Sequence, residues 1–127
     1  MSDRPDPRRV ARLTIPQPLR EGELARHRVH VLNLSPLGAR ISHQALLHEG
    51  VVCYLDLAPA LGAPRLTGCV VWTWLRGTEQ TLDGRQQSHY ESGIEFTSLT
   101  SAQQDALAAA LATLHASGTA PERGPSA

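Results

Sequence analysis

Two groups of polar residues in the first third of the chain have the types and spacing needed to bind a nucleotide. They are Arg8, Arg9 and Arg12 in the first group, and Asn33, Ser35 and Gly38 in the second. Guanidinium groups form paired hydrogen bonds with phosphate or with the O6 and N7 edge of guanine. An Asn side chain offers a donor and an acceptor to a base edge, and a Ser hydroxyl can donate to a phosphate oxygen. Together the two groups indicate a pocket for a ligand that contains guanine and phosphate.

The spacing within each group is consistent with one shared pocket. On an extended segment Arg8 and Arg12 lie about 13 Å apart, at roughly 3.3 Å per residue, so they can contact different parts of a dinucleotide. Asn33 and Ser35 are two residues apart, and a strand therefore presents both on one face. Gly38 permits a positive φ or a close approach of the backbone to a ligand.

The elements that must position these residues are predicted from hydrophobic patterning. After a proline-interrupted edge strand near residues 13–19, alternating or β-branched runs predict strands at Leu24–Leu34, Gly38–Ser42, Val51–Leu57, Leu66–Leu75 and Gln87–Phe96. Asp83-Gly84 predicts the hairpin turn between the last two strands. A capping box at residues 100–103 then opens a helix, whose apolar stripe consists of Leu107, Ala110, Leu111 and Leu114. This order predicts a small six-stranded antiparallel β-barrel with a C-terminal helix over one opening.

The composition limits the possible functions. A chain of 127 residues with 41% apolar residues forms one domain with a single core. The formal net charge is zero, which argues against bulk nucleic-acid binding, but residues 1–40 carry eight arginines against four acidic residues. That local excess of positive charge suits an anionic ligand. Two cysteines, no apolar segment of membrane-spanning length and no signal-peptide pattern predict a cytoplasmic protein that does not insert into a membrane.

The order of the motifs resembles that of PilZ domains, which are bacterial receptors for cyclic di-GMP. Their signature is Arg-x-x-x-Arg before a first strand and [Asp/Asn]-x-Ser-x-x-Gly after a second. The first element is matched by Arg8 and Arg12, and the second by residues 33–38, without a substitution. Gly68–Trp72 and Gly93–Phe96 resemble the later strand consensus of the family. An overlapping register that begins at Arg4 also fits, but Arg12 leads directly into the first strand, as the family pattern expects.

The resemblance extends from about Arg8 to Leu114 and implies both fold and ligand. It implies a flexible arm at residues 1–7, a PilZ-like barrel with its helix at residues 8–115, and a disordered tail at residues 116–127. The implied ligand is cyclic di-GMP, with no other cofactor and no metal. Binding is expected to order the arginine segment over the barrel rim and so to signal to an unidentified downstream protein. Arg9 lies outside the family pattern and is expected to steer the ligand.

Two parts of the sequence have two interpretations each. Arg40 either reaches the pocket from the strand after Gly38 or is an exposed residue of the barrel. Trp72 and Trp74 share one strand face, where core packing of at least one is the simpler prediction. The alternative is that a tryptophan forms a stacking wall for a base.

Other functions are weighed against the same residues. A PilZ-type adaptor that binds no nucleotide is the main alternative, and the intact motif residues count against it. A barrel for single-stranded RNA is disfavoured by five aromatic residues and no basic strand face. The sequence contains no nucleophile elbow, phosphate-binding loop or metal-ligand spacing among its six histidines, so we predict a non-enzyme.

Overall fold

The computed structural model describes residues 12–117 of the chain. Within this range the strands are β1 (Leu13–Thr14), β2 (Glu21–Leu24), β3 (His27–Leu34), β4 (Gly38–His43), β5 (Val52–Asp56), β6 (Arg65–Gln80) and β7 (Gln86–Phe96). One α-helix, α1 (Ser101–Ala116), follows the last strand, and short 3-10 turns span Gln17–Leu19 and Pro59–Leu61. The predicted arm and most of the predicted tail lie outside the described residues, as do Arg8 and Arg9.

Strands β2 to β7 form a closed antiparallel ring. Their order is β3-β2-β5-β6-β7-β4, and the pairing of β4 with β3 closes the ring. The two-residue strand β1 adds to the end of β3, where Leu13 pairs with Leu34. The predicted six-stranded antiparallel fold with a C-terminal helix is therefore confirmed, with β1 as a short addition.

The structure differs from the prediction between Leu24 and Leu34, where one strand is replaced by a hairpin. Strands β2 and β3 pair on either side of a tight turn at Ala25 and Arg26. Both turn residues have a positive φ, 47° and 72°. A two-residue hairpin turn of this kind normally carries Asn or Gly, so its sequence signature is missing here. The polar alternation around the turn continued without a break and concealed it.

The core lies inside the ring and is closed by the helix. Its largest fully buried apolar side chains are Ile15, Leu24, Val31, Leu34, Ile41, Leu55, Leu66, Val70 and Leu114. Burial of this kind supplies most of the stability of a domain, at about 25 cal/mol per Å² of apolar surface.

Helix α1 begins with the predicted capping box. The Thr100 hydroxyl accepts from the backbone N–H of Gln103 at 3.1 Å, and the Gln103 side chain accepts from the Thr100 N–H at 2.9 Å. The helix buries three residues of the predicted stripe and leaves Leu111 partly exposed. It continues to Ala116, one residue into the predicted tail. Within residues 12–117 no helix is long and apolar enough to cross a membrane.

Candidate ligand-binding site

A cavity of about 170 Å³ opens on the outer face of the ring, where β3, β4, β7 and β6 lie side by side. It is lined by Arg12, Asn33, Ser35, Leu37, Gly38, Ala39, Arg40, Val71, Trp72, Gly93, Ile94 and Glu95. Five of the residues expected from the sequence to bind the ligand are thus brought together: Arg12, Asn33, Ser35, Gly38 and Arg40. Of the two interpretations of Arg40, the one that places it at the pocket is therefore supported.

Four of these residues form one row across four strands. Asn33 pairs with Arg40, Arg40 pairs with Gly93, and Gly93 pairs with Trp72. Directly paired residues of adjacent antiparallel strands share a face of the sheet, with their Cβ atoms about 5 Å apart. The row therefore places a carboxamide, a guanidinium, a bare backbone position and an indole in sequence along the cavity.

A bulge in β3 decides where Asn33 points. The pairing with β4 skips one residue between Val31 and Asn33, while Val31 and Leu34 are both in the core. Since faces alternate along a strand, Asn33 would lie on the same face as Val31 without the extra residue. The bulge turns Asn33 away from the core to the side of the cavity, where it is still buried and its Oδ1 accepts from the backbone N–H of Arg40 at 3.1 Å.

Ser35 stabilises the turn between β3 and β4. Its hydroxyl oxygen accepts from the backbone N–H groups of Leu37 and Gly38, both at 3.2 Å. Its own backbone N–H donates to the Gly38 carbonyl at 2.9 Å. Local hydrogen bonds of this kind are the reason that Ser is favoured in turns. The Ser35 Oγ lies 3.4 Å from the Gly38 carbonyl oxygen, a long contact that leaves the hydroxyl able to donate its proton elsewhere.

The structure shows a requirement for glycine at position 38 that was not expected. Gly38 does not have a positive φ, so this one of the two expected reasons is wrong, while a close approach of the backbone to a ligand stays a prediction. Instead, a Cβ at this position would lie 2.0 Å from the carbonyl oxygen of Ile94 in β7. Gly38 is needed because β4 and β7 approach each other too closely for a side chain.

Trp72 forms a wall of the cavity, and neither tryptophan is in the core. A bulge between Val70 and Trp72 places Val70 inside the ring and Trp72 outside it. The indole lies across Gly93, where an added Cβ would come within 2.1 Å of its Nε1. Trp74 is 54% exposed, and its ring centroid lies 4.7 Å from that of Trp72. The prediction of core packing for at least one tryptophan is therefore wrong, because the bulge and the glycine create an outer position for the ring.

Glu91 and Arg76 belong to a charged network that includes Arg40, and neither was identified from the sequence as functional. Glu91 lies between two arginines, with its Oε1 3.4 Å from Arg40 Nε and its Oε2 3.2 Å from Arg76 Nε. The Arg76 guanidinium carbon in turn lies 5.0 Å from the centroid of the Trp74 ring. No local sequence pattern marks this network, because its members belong to three different strands.

Behind the outer wall, a buried polar chain links β4, β7 and β6. His43 Nε2 lies 2.6 Å from Ser92 Oγ, and Ser92 Oγ lies 2.7 Å from Thr73 Oγ1. His43 Nδ1 lies 2.6 Å from the Ala45 carbonyl, which can only accept, so Nδ1 carries the proton of the neutral ring. Burial lowers the pKa of His43, the hydrogen bond to Ala45 opposes this effect, and the nearby His27 adds to it.

This lowered pKa predicts a loss of stability in mild acid. The unfolded chain takes up a proton on His43 at its usual pKa of about 6.5, whereas the folded state resists it. The free energy of unfolding should therefore fall as the pH drops below about 6.5 and level off below the folded-state pKa. We expect urea denaturation between about pH 7.5 and pH 5.5 to show a larger fall for the wild type than for His43→Gln.

The control for this experiment is the exposed His30. His30→Gln should keep the pH dependence of the wild type, because His30 is an exposed residue of β3. Equal pH dependence in the wild type and His43→Gln would show that His43 does not contribute.

Comparison with solved structures identifies the architecture. The PilZ domain with c-di-GMP of YcgR from Escherichia coli superposes with a TM-score of 0.66 at 14% sequence identity, covering 89% of this chain and 95% of that one. MrkH of K. pneumonia in its apo state superposes with a TM-score of 0.62 at 18% identity, covering 93% of this chain and 53% of that one. A second MrkH structure, described as a c-di-GMP-dependent transcription regulatory factor, gives a TM-score of 0.63 at 16% identity. The chain spans about half the length of MrkH.

These likenesses establish that the chain has a PilZ-like fold. No protein-family model matches the sequence, and no curated protein matches it significantly. At 14–18% identity these likenesses show the fold alone.

Proposed function

We propose that this protein is a non-catalytic receptor for cyclic di-GMP. The observation that carries the proposal is the row of Asn33, Arg40, Gly93 and Trp72 across four strands, with Arg12 beside it at the same cavity. It combines guanidinium groups for phosphate or a guanine edge, polar groups that hold the backbone around them, and an aromatic face for stacking. A purine dinucleotide with two phosphates needs all three.

Each group has a distinct role in this proposal. The indole of Trp72 stacks on a guanine base, a contact worth about 1–3 kcal/mol. Arg12 and Arg40 form paired hydrogen bonds with a phosphate or with guanine O6 and N7. Asn33 fixes the backbone of Arg40, and Ser35 fixes the turn and donates its hydroxyl proton to a phosphate oxygen.

The size of the cavity supports a contribution from the residues before Arg12. Sites that enclose a drug-sized ligand have volumes of about 300–1,000 Å³, and this cavity measures about 170 Å³. It is too small to enclose a dinucleotide without further walls. We propose that the segment that carries Arg8 supplies those walls by closing over the ligand, that Arg9 steers the ligand, and that the altered surface is recognised by a separate protein.

The test of the site is calorimetric titration of the wild type and Arg12→Ala with cyclic di-GMP. We expect the variant to bind about ten- to a hundredfold more weakly, because a well-formed bidentate contact contributes roughly 1–3 kcal/mol and 1.4 kcal/mol is a decade in affinity. Arg12 is exposed, so its truncation should leave the melting temperature unchanged. Arg85→Ala is the matched control, since Arg85 is an exposed arginine in the hairpin turn far from the cavity.

The outcomes separate receptor, adaptor and enzyme. Equal affinity of the wild type and Arg12→Ala would contradict the assignment of the cavity as the site. A wild type that releases no heat with cyclic di-GMP and shows no thermal shift would favour the adaptor that binds no nucleotide. Chromatography of the ligand after incubation should return it intact, and a hydrolysed product would contradict the non-catalytic role.

A further inference from the structure

Glu91 connects the two arginines that flank the outer wall of the cavity. One carboxylate oxygen lies 3.4 Å from Arg40 Nε and the other lies 3.2 Å from Arg76 Nε. The Glu91 side chain is 22% exposed, against 30% for Arg40 and 45% for Arg76. The ion pairs are therefore partly shielded from solvent, and they are stronger than those between fully exposed groups.

Both arginines lead back to the cavity by different routes. Arg40 lines it directly. Arg76 lies over the ring of Trp74, which contacts Trp72, and Trp72 lines the opposite wall. Glu91 itself pairs with Trp74 across β6 and β7 and lies two residues from Gly93 on the same face. The Glu91 carboxylate thus contacts Arg40, which lines the cavity, and reaches Trp72 only through Arg76 and Trp74.

We propose that Glu91 is a positioning residue that sets ligand affinity by competing with the ligand for Arg40. This inference rests on the proposed binding of cyclic di-GMP. A phosphate that pairs with Arg40 and the Glu91 carboxylate that faces its Nε share one positive charge, so each weakens the pairing of the other. Arg76 lessens this competition, because it neutralises part of the carboxylate charge.

The proposal predicts opposite effects for two substitutions on the same ion pair. Glu91→Gln keeps the shape of the side chain and removes its charge, so the ion pair with Arg40 is lost and affinity should rise about three- to tenfold. Arg76→Gln leaves Glu91 with Arg40 as its ion-pair partner, so affinity should fall by about the same factor. Loss of structure alone would lower affinity in both variants.

A double-mutant cycle separates competition for Arg40 from a general effect of charge. In an Arg40→Gln background, Glu91→Gln should change affinity less than twofold, about 0.4 kcal/mol. If Glu91 acted only by repelling the anionic ligand at a distance, its removal would raise affinity in both backgrounds. The gain in affinity that Glu91→Gln causes in the protein with Arg40 intact should also shrink with added salt, since the ion pairs are partly exposed.

The experiment is calorimetric titration of these full-length proteins with cyclic di-GMP, with melting temperatures measured in parallel. Wild-type binding with unchanged affinity in Glu91→Gln would overturn this inference and leave the proposed function intact. A gain in affinity that persists in the Arg40→Gln background would also overturn it. No binding by the wild type or by Glu91→Gln would overturn the proposed function, and the inference with it.

Discussion

Gly38→Ala is expected to lower the melting temperature by about 10 °C, because the added Cβ would overlap the backbone of β7. It would lie 2.0 Å from the carbonyl oxygen of Ile94 and 3.1 Å from its carbonyl carbon. A backbone group cannot rotate away as a side chain can, so β4 and β7 must separate. Overpacking of this kind costs about 1–3 kcal/mol, and the upper end applies here. A loss of about 3 kcal/mol is a large part of the 5–15 kcal/mol that stabilises a typical domain.

The matched control is Gly77→Ala in β6. Gly77 is also a strand glycine, but an added Cβ there would meet no atom within 4 Å. Its melting temperature should stay within about 2 °C of the wild type, because surface substitutions usually change stability by less than 0.5 kcal/mol. If both alanine variants melted like the wild type in a calorimetric scan, the close approach of β4 and β7 would be refuted.

The second large effect is expected on ligand binding, from Gly93→Ala. The added Cβ would lie 2.1 Å from Nε1 of Trp72, 2.5 Å from its Cε2 and 2.8 Å from its Cδ1. The group that this Cβ would overlap is a side chain on the outer face, so the indole can move and the protein should fold. The displaced ring no longer forms the cavity wall, and the loss of stacking should weaken binding of cyclic di-GMP about ten- to a hundredfold.

A second substitution shows whether this effect passes through the indole. Trp72→Ala should weaken binding by a similar factor, and Gly93→Ala should add little in the Trp72→Ala background. Calorimetric titration of the two single variants and the double variant provides the measurement. Additive losses would mean that Gly93 acts independently of Trp72, which contradicts the close approach of the Trp72 indole to Gly93.

The site depends on the pairing register of its strands as much as on its side chains. The row from Asn33 to Trp72 depends on β3, β4, β7 and β6 pairing in one register. The buried chain from His43 to Thr73 links three of the same strands from the inner side.

The sequence by itself determined the antiparallel strands with a C-terminal helix and the identity of most candidate binding residues. The Asp83-Gly84 turn and the capping box at Thr100 are local patterns and are found where they were predicted, whereas the alternation over Leu24–Leu34 concealed the turn between β2 and β3. The motif at residues 33–38 was recognisable for the same reason, since Ser35 forms hydrogen bonds with residues two and three positions away.

Only the tertiary structure decided which side chains share the cavity and why glycine is needed there. One extra residue in β3 and one in β6 turn Asn33 and Trp72 to the outer face, and a bulge has no reliable signature in a single strand. Glu91 has its partners on other strands, so its place beside Arg40 follows from pairing rather than from spacing. Register is a property of two strands together, and a shift by one residue exchanges the faces of every residue beyond it. For this reason the motif at residues 33–38 could be recognised in the sequence, whereas the cavity wall that Trp72 forms could not.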